Sequence, residues 1–286
     1  MSDWKGLARL ALRGALEVRR RVKVPKDAPV CVFDLAERLG LEVRFCAGAS
    51  FEGMYAKGSS TILVPSLRPP GRQAFNGGHE MGHWYFGHGS RIDELPEFAP
   101  DDRNDPDEWV ANLFAAYLLM PSWAVEASFK RRNLNPTTCT PLQLYLIACE
   151  LGVGYETLIQ HLRWSLNLIT PARAAVLVET TPKVIREQAI GKVATKHLVL
   201  ADAAWISGNI DLQVGHVALL PSSAVLEGTA VEVLGDLPTG RLVQGRKPGI
   251  ARAFLEGAPW AKFVRVSRAD FEGRSLYRHL EDPDVD

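Results

Sequence analysis

Three of the seven histidines in this 286-residue chain fall within ten residues: His79, His83 and His88, in the stretch NGGHEMGHWYFGH. The first two bracket a glutamate, Glu80, in the pattern HExxH. On an α-helix, positions four apart share a face, so both imidazoles can reach one cation. The glutamate beside the first histidine is then placed to take a proton from water rather than to bind metal. Zinc suits such a site, since two nitrogens and one carboxylate oxygen leave a coordination position open. HExxH fixes only three positions, so by itself it also occurs by coincidence in unrelated helices. Here a prolyl break upstream and the heavy apolar run Trp84-Tyr85-Phe86 downstream favour a buried active-site helix.

The third donor is less plainly written. The extended motif HExxHxxGxxH would need glycine at 86 and histidine at 89. Phe86 and Gly89 stand there, so His88 is one place out of register and is not expected to ligate. A later carboxylate is the alternative. Glu108 opens EWVANLFAAYLLMP, and its face continues through Ala111, Asn112 and Ala115, residues small enough to let that helix approach the histidine helix. Glu108 also fits a capping box, with Asp105 as N-cap, Pro106 at N1 and Glu108 at N3, so capping and ligation compete for one side chain. Asp93 and Glu94, in the acidic stretch DELPEFAPDDRNDPDE, are weaker rivals. Tyr55, Tyr85, Tyr117, Tyr145 and His161 are candidates for stabilising an oxyanion, each more readily read as a buried aromatic.

The elements around these residues follow from periodicity. Trp4, Leu7, Ala8, Ala11, Ala15 and Val18 recur at helical spacing, giving an amphipathic helix over 3–20 with a basic end at Arg19, Arg20, Arg21 and Lys23. That end reads as a solvated helix C-terminus, with phosphate contact as the alternative. VCVFDLAERLG is a short helix stopped by Gly40, LEVRF a strand, and GMYAKGSSTILV a hairpin turning at Gly58-Ser59-Ser60. An extended substrate could pair with an edge strand around Ser60 to Val64. The pair PLQLYLIACELG and YETLIQHLRWSLNLI, within 141–168, has helix-turn-helix texture, but Gln160, His161 and Arg163 are thin material for reading bases. From about residue 170, AAVLV, HLVL, HVALL, TAVEVLG, GRLVQG and KFVRV read as short strands between Gly and Pro turns.

With HEMGH preceded by RQAFNGG, and with ExxxNxFAAxLLMP running from Glu108 to Pro121, residues 28–168 resemble the ImmA/IrrE family of bacterial and phage metallopeptidases. FDLAERLGLEVRF, the glycine of FEGMY and STILVP fall in that family's order. The resemblance implies a zinc site of His79, His83 and Glu108, with manganese as a substitute metal and Glu80 as the catalytic base. It implies an endopeptidase whose substrate is a helix-turn-helix repressor, cut in response to stress, DNA damage or a mobile-element signal. Gly77-Gly78 departs from the pattern, since two glycines cost about 1 kcal/mol each inside a helix. The histidine helix is therefore expected to start at Gly78 or to be locally strained.

The expected architecture is α+β. A zincin-like, mostly helical domain with a small sheet occupies 1–169, and a mixed α/β domain occupies 170–286. By analogy of layout, the latter is a GAF-like sensor. It carries a basic cluster, with Arg241, Arg246, Lys247 and Arg252 as candidates for binding single-stranded DNA or an anionic small-molecule signal. Lysine plus arginine equals aspartate plus glutamate, 33 each, so no global pull toward nucleic acid or membrane exists. Cys31, Cys46, Cys139 and Cys149 lack CxxC spacing and read as reduced thiols. DWKGLARLALRGALEVRRR is too charged for a signal peptide, and no apolar run approaches bilayer length, so a cytoplasmic location is expected. The rival readings are a DNA-binding regulator with a structural or degenerate metal site, and a zinc hydrolase acting on a non-protein amide. An intact Glu80 disfavours the regulator.

Overall fold

The computed structural model describes residues 4–47, 53–89, 105–191, 195 and 197–281, together with the backbone of 92–93. Helix α1 (Trp4–Arg21) buries the stripe Ala11, Ala15 and Val18. Arg19, expected at a solvated end, is buried. Its guanidinium donates to the carbonyls of Leu118 and Ala28, so it ties α1 to its neighbours rather than to phosphate.

Helix α2 (Val32–Arg38) leads into β1 (Glu42–Cys46), β2 (Gly53–Ala56) and β3 (Thr61–Pro65). The expected hairpin is present, with Ala56 opposite Thr61. β3 is nevertheless no edge strand. It lies between β2, antiparallel, and β1, parallel, so a substrate has no free edge there.

Helix α3 (Pro70–Phe86) carries the histidines, and the two-residue β4 (Ile92–Asp93) pairs with β2. Helices α4 (Pro106–Leu119), α5 (Ser122–Arg131), α6 (Pro141–Leu151) and α7 (Tyr155–Gln160) follow, the last running into a π-helical turn at His161–Ser165. The α6–α7 pair contributes Leu144, Ile147, Leu158 and Ile159 to the core. His161, on the would-be reading helix, is buried and donates from Nε2 to the Met120 carbonyl at 2.8 Å, so it cannot meet a base edge. By length and composition the α4–α5 stretch Pro106–Arg131 could cross a membrane, against the sequence expectation, but two-thirds of its apolar window is buried, as in a core helix.

After residue 170 the structure departs from the expected strands. AAVLV belongs to helix α8 (Pro171–Val178), and TPKVIREQAI to α9 (Pro182–Ile190). In each, a threonine side chain caps the helix and a proline takes the first turn, Thr170-Pro171 and Thr181-Pro182. This start signal outweighs the β propensity of one valine-rich run. Both helices pack on the first core through Ala174, Leu177 and Ile185.

The remaining strands are β5 (Leu198–Leu200), β6 (Ile210–Gln213), β7 (Val217–Leu220), β8 (Ala224–Glu227), β9 (Val231–Leu237), β10 (Gly240–Gly245), β11 (Gly249–Leu255), β12 (Ala261–Ser267) and β13 (Gly273–Arg274). They form a sheet β5-β7-β10-β9 and a second sheet β6-β12-β11-β8, while β13 returns to pair with β1. The described residues after 170 thus hold both helices and strands, with the helices α8 and α9 first and no α-helix described between 198 and 274. The first of these sheets is apolar on both faces. Leu198, Leu200, Val217 and Leu219 join the helical core, while Val199, Ala218, Leu220 and Val243 face the second core, shared with Ile210, Ala251 and Val264.

Candidate metal centre

The centre is built where α3 crosses α4. Glycines 77, 78 and 82 all lie inside one continuous α3, contrary to the expected start at Gly78, and their lack of side chains explains it. A Cβ on Gly82 would stand 3.0 Å from the Ala111 Cα, and one on Gly78 would stand 3.3 Å from the Ala115 Cβ. The helices therefore meet through glycine and alanine, and the close packing offsets the propensity cost of glycine.

This approach brings His79, His83 and Glu108 together, with one potential donor atom of each within 4.8 Å of the others. The two Nε2 atoms are 2.9 Å apart. His79 Nε2 lies 3.2 Å from one Glu108 carboxylate oxygen and His83 Nε2 lies 3.5 Å from the other. Donors on a tetrahedral zinc ion, at bonds of about 2.1 Å, sit about 3.4 Å apart. The spacings are close to that value, each imidazole facing a different oxygen of Glu108. Burial works against the Glu108 charge, but hydrogen bonds and charge from His79 and His83 outweigh it, holding the carboxyl well below the usual carboxylate range. Asp105 is the N-cap as expected, accepting from the Asp107 N–H at 2.9 Å, while the Glu108 carboxylate faces the imidazoles. Glu94 lies outside the described residues, as does the side chain of Asp93.

Both imidazoles are oriented from behind. His79 Nδ1 is 2.9 Å from Asn112 Oδ1. An amide oxygen only accepts, so His79 Nδ1 carries a proton and donates to it, which leaves Nε2 as the nitrogen directed at Glu108. His83 Nδ1 is 2.9 Å from His88 Nδ1, and His88 Nε2 faces Asp107 at 3.5 Å. His88 thus stands behind His83 and outside the His79, His83 and Glu108 cluster. It gets there because Gly87 ends α3 in the left-handed conformation, φ 72°, and turns the chain back. Asn112 and His88 are the residues that sequence reasoning left without a role. Asn112 could have been found one helical turn after Glu108, on the same face.

Glu80, next to His79, is 1 % exposed and points toward β2. A Cβ on Gly53 would lie 2.5 Å from its Oε1, so the glycine of FEGMY is what gives this carboxylate room.

Residues 36–163 match the family model Peptidase M78, described as the IrrE N-terminal-like domain. This segment is an IrrE N-terminal-like domain. The matched span takes in α3 and α4, and with them every residue of the centre. No curated protein matches the chain. Among solved structures, a Mycobacterium tuberculosis transcriptional regulator aligns at 17 % identity with a TM-score of 0.35, covering 55 % of this chain. The alignment spans 46 % of that protein, about half its length.

Three of the other candidates have partners of their own. Tyr85 donates to Glu17 on α1, and Tyr145 to the Leu198 carbonyl, each at 2.8 Å. His161 is held neutral by burial, its pKa lowered to about 4. Of the basic cluster, Arg241 pairs with Asp236, Lys247 with Glu281 and Arg252 with Glu227. Arg246 has no ion pair among the described residues. Three of the four charges are therefore offset locally, which leaves little field for a polyanion.

Proposed function

We propose that the IrrE-like domain is a zinc metalloendopeptidase in which His79, His83 and Glu108 hold the metal and Glu80 is the general base. One observation carries this reading: a zinc-sized triangle of donors, opened by an all-glycine and alanine helix contact, beside a buried glutamate that does not join it. A bound zinc ion supplies Lewis acidity, polarising the scissile carbonyl and acidifying water. Asn112 and His88 hold the imidazoles so that both Nε2 lone pairs face inward. Glu80 accepts the proton of the attacking water and passes it to the leaving amine. β2 runs past Glu80, and beyond Met54 no described strand pairs with its outer edge, so an extended substrate can pair there.

The substrate class follows from the family resemblance, which points to a helix-turn-helix repressor cleaved to release a stress, DNA-damage or mobile-element response. The locally paired basic residues favour this over the DNA-binding regulator. The test uses purified protein, with metal content and repressor cleavage measured together. Glu80→Gln should keep a full zinc complement and lose 10²- to 10⁴-fold in kcat, as about expected for a missing general base. Glu108→Ala should lose the metal. Full metal content in Glu108→Ala, or undiminished cleavage by Glu80→Gln, would end this reading.

A further inference from the structure

A cavity of about 690 Å³ is lined by none of the metal-centre residues. Its walls come from the segment before α2, the first turn of α3, the α6–α7 turn, α9 and β5. It therefore opens where the helical core meets the strand-rich part. Its volume falls in the range of small-molecule sites, about 300–1,000 Å³.

The charges in its wall are unevenly compensated. Asp34 is paired with Arg265 and Arg278, and Asp211 with Arg265. Glu150 is paired with Arg131 and Arg132. Glu156 is exposed. Arg186 on α9 also lines the cavity, and among the described residues it has no carboxylate partner. It lies beside Tyr145, whose hydroxyl is already given to the Leu198 carbonyl, and near His197. The His197 ring packs on His216 at 5.2 Å, and burial, the neighbouring His216 and Arg186 hold it neutral, its pKa lowered to about 3. Arg186 is thus a half-buried cation beside the neutral Tyr145 and His197, in a wall that also carries Arg38, which donates to the Val22 carbonyl, and Arg72. A charge so placed gains from an anion, because the surrounding walls exclude much of the screening water. Elsewhere the lining is apolar and broad, with Val30, Val153, Val199 and the buried Trp205.

We propose that this junctional cavity binds a small aromatic anion, with Arg186 taking the anionic group and the Trp205 and valine surfaces taking the flat apolar body. The same chemistry could come from an aromatic carboxylate or from a nucleotide phosphate. A ligand there would touch helices and strands at once, so it would brace the two parts of the chain against separation. The site does not depend on the metal reading, and its test needs no protease activity.

The experiment titrates full-length protein with anilinonaphthalene sulfonate, and separately with the uncharged N-phenylnaphthylamine, following dye fluorescence. Unfolding midpoints are recorded with and without the sulfonate. The expected result is one saturable sulfonate site per chain, a raised midpoint, and sulfonate affinity at least tenfold lower in Arg186→Leu with naphthylamine binding unchanged. Competition by p-hydroxybenzoate or by adenosine monophosphate then separates the carboxylate from the phosphate source. Non-saturable binding, a lowered midpoint or a sulfonate affinity untouched by Arg186→Leu would each overturn the proposal. Far-ultraviolet circular dichroism and zinc content of Arg186→Leu should match the parent; if they do not, Arg186→Lys, which keeps the charge, must retain sulfonate binding or the proposal fails.

Discussion

The α3–α4 contact and the junction around α2, α6 and β5 solve opposite problems with opposite materials. At α3–α4 the backbones meet through Gly78, Gly82, Ala111 and Ala115, with a hypothetical Cβ already within 3.0 to 3.4 Å of the facing helix. At the junction the chain leaves about 690 Å³ unfilled and spans it with ion pairs, Arg265 and Arg278 to Asp34, Arg132 to Asp202 and Glu150. Three ligand atoms must be held to a few tenths of an ångström, and close-packed small residues fix a distance because nothing in them can rotate. Ion pairs on long side chains tolerate displacement and hold parts together without defining a single spacing. The difference teaches where this molecule is built for precision and where for accommodation.

Adding volume on each side tests this contrast most strongly. Gly82→Val drives a branched side chain into Ala111 and should cost on the order of 2 kcal/mol or more in stability, with loss of zinc retention. Val30→Leu at the cavity wall should change stability by about 0.5 kcal/mol or less. Urea unfolding of both variants, with metal analysis, settles it. Comparable costs would mean that the two regions are equally packed and the comparison is wrong.

A smaller effect is expected from the groups behind the ligands. His88→Ala leaves His83 Nδ1 without its partner, and should weaken zinc binding about 10- to 100-fold. His88→Gln, which can still accept a hydrogen bond, should recover part of it. Competition with a chelator gives the affinity directly. Unchanged affinity in His88→Ala would show that the packing of α3 alone orients His83.

The two regions also differ in how far they could be read from the sequence. The donor pattern was legible because helical periodicity alone puts His79 and His83 on one face, and because Glu108 opens a helix with a small-residue stripe. What stood behind the ligands was not. His88 reaches His83 only because Gly87 reverses the chain, and a motif register counts residues rather than turns. Helices α8 and α9 were hidden by a valine-rich run, although Thr170-Pro171 and Thr181-Pro182 carried the start signal. β3 looked like an edge because its parallel partner β1 is separated from it by the whole of β2. Strands β5 and β7 are buried on both faces, so they lack the alternation that reveals orientation. The cavity is a space between segments far apart in the chain, and no local pattern encodes it.

The smallest effect concerns acid and the junction. Asp34 is partly buried, which by itself would raise its pKa, but Arg278 and Arg265 outweigh that and hold it below the ordinary carboxylate range. Cys31 and Asp211 lie close by; burial pushes the Cys31 thiol up to about 11, and Asp211 is bound to Arg265, so the thiol stays neutral in acid. A carboxyl with a depressed folded pKa contributes stability above its unfolded value, about 4, and loses that contribution as pH falls through the folded one. Asp34→Asn should therefore be less stable than the parent at pH 6, by about 1 kcal/mol or less since the pair is partly solvated. The gap should close as pH falls below 4, because the parent's Asp34 then takes up a proton and becomes neutral like the asparagine. Urea midpoints for both proteins at pH 6, 5, 4 and 3 isolate this one group, since every other carboxylate titrates in both. A gap that stays constant across that range would mean that Asp34 holds the junction by shape and hydrogen bonding rather than by charge.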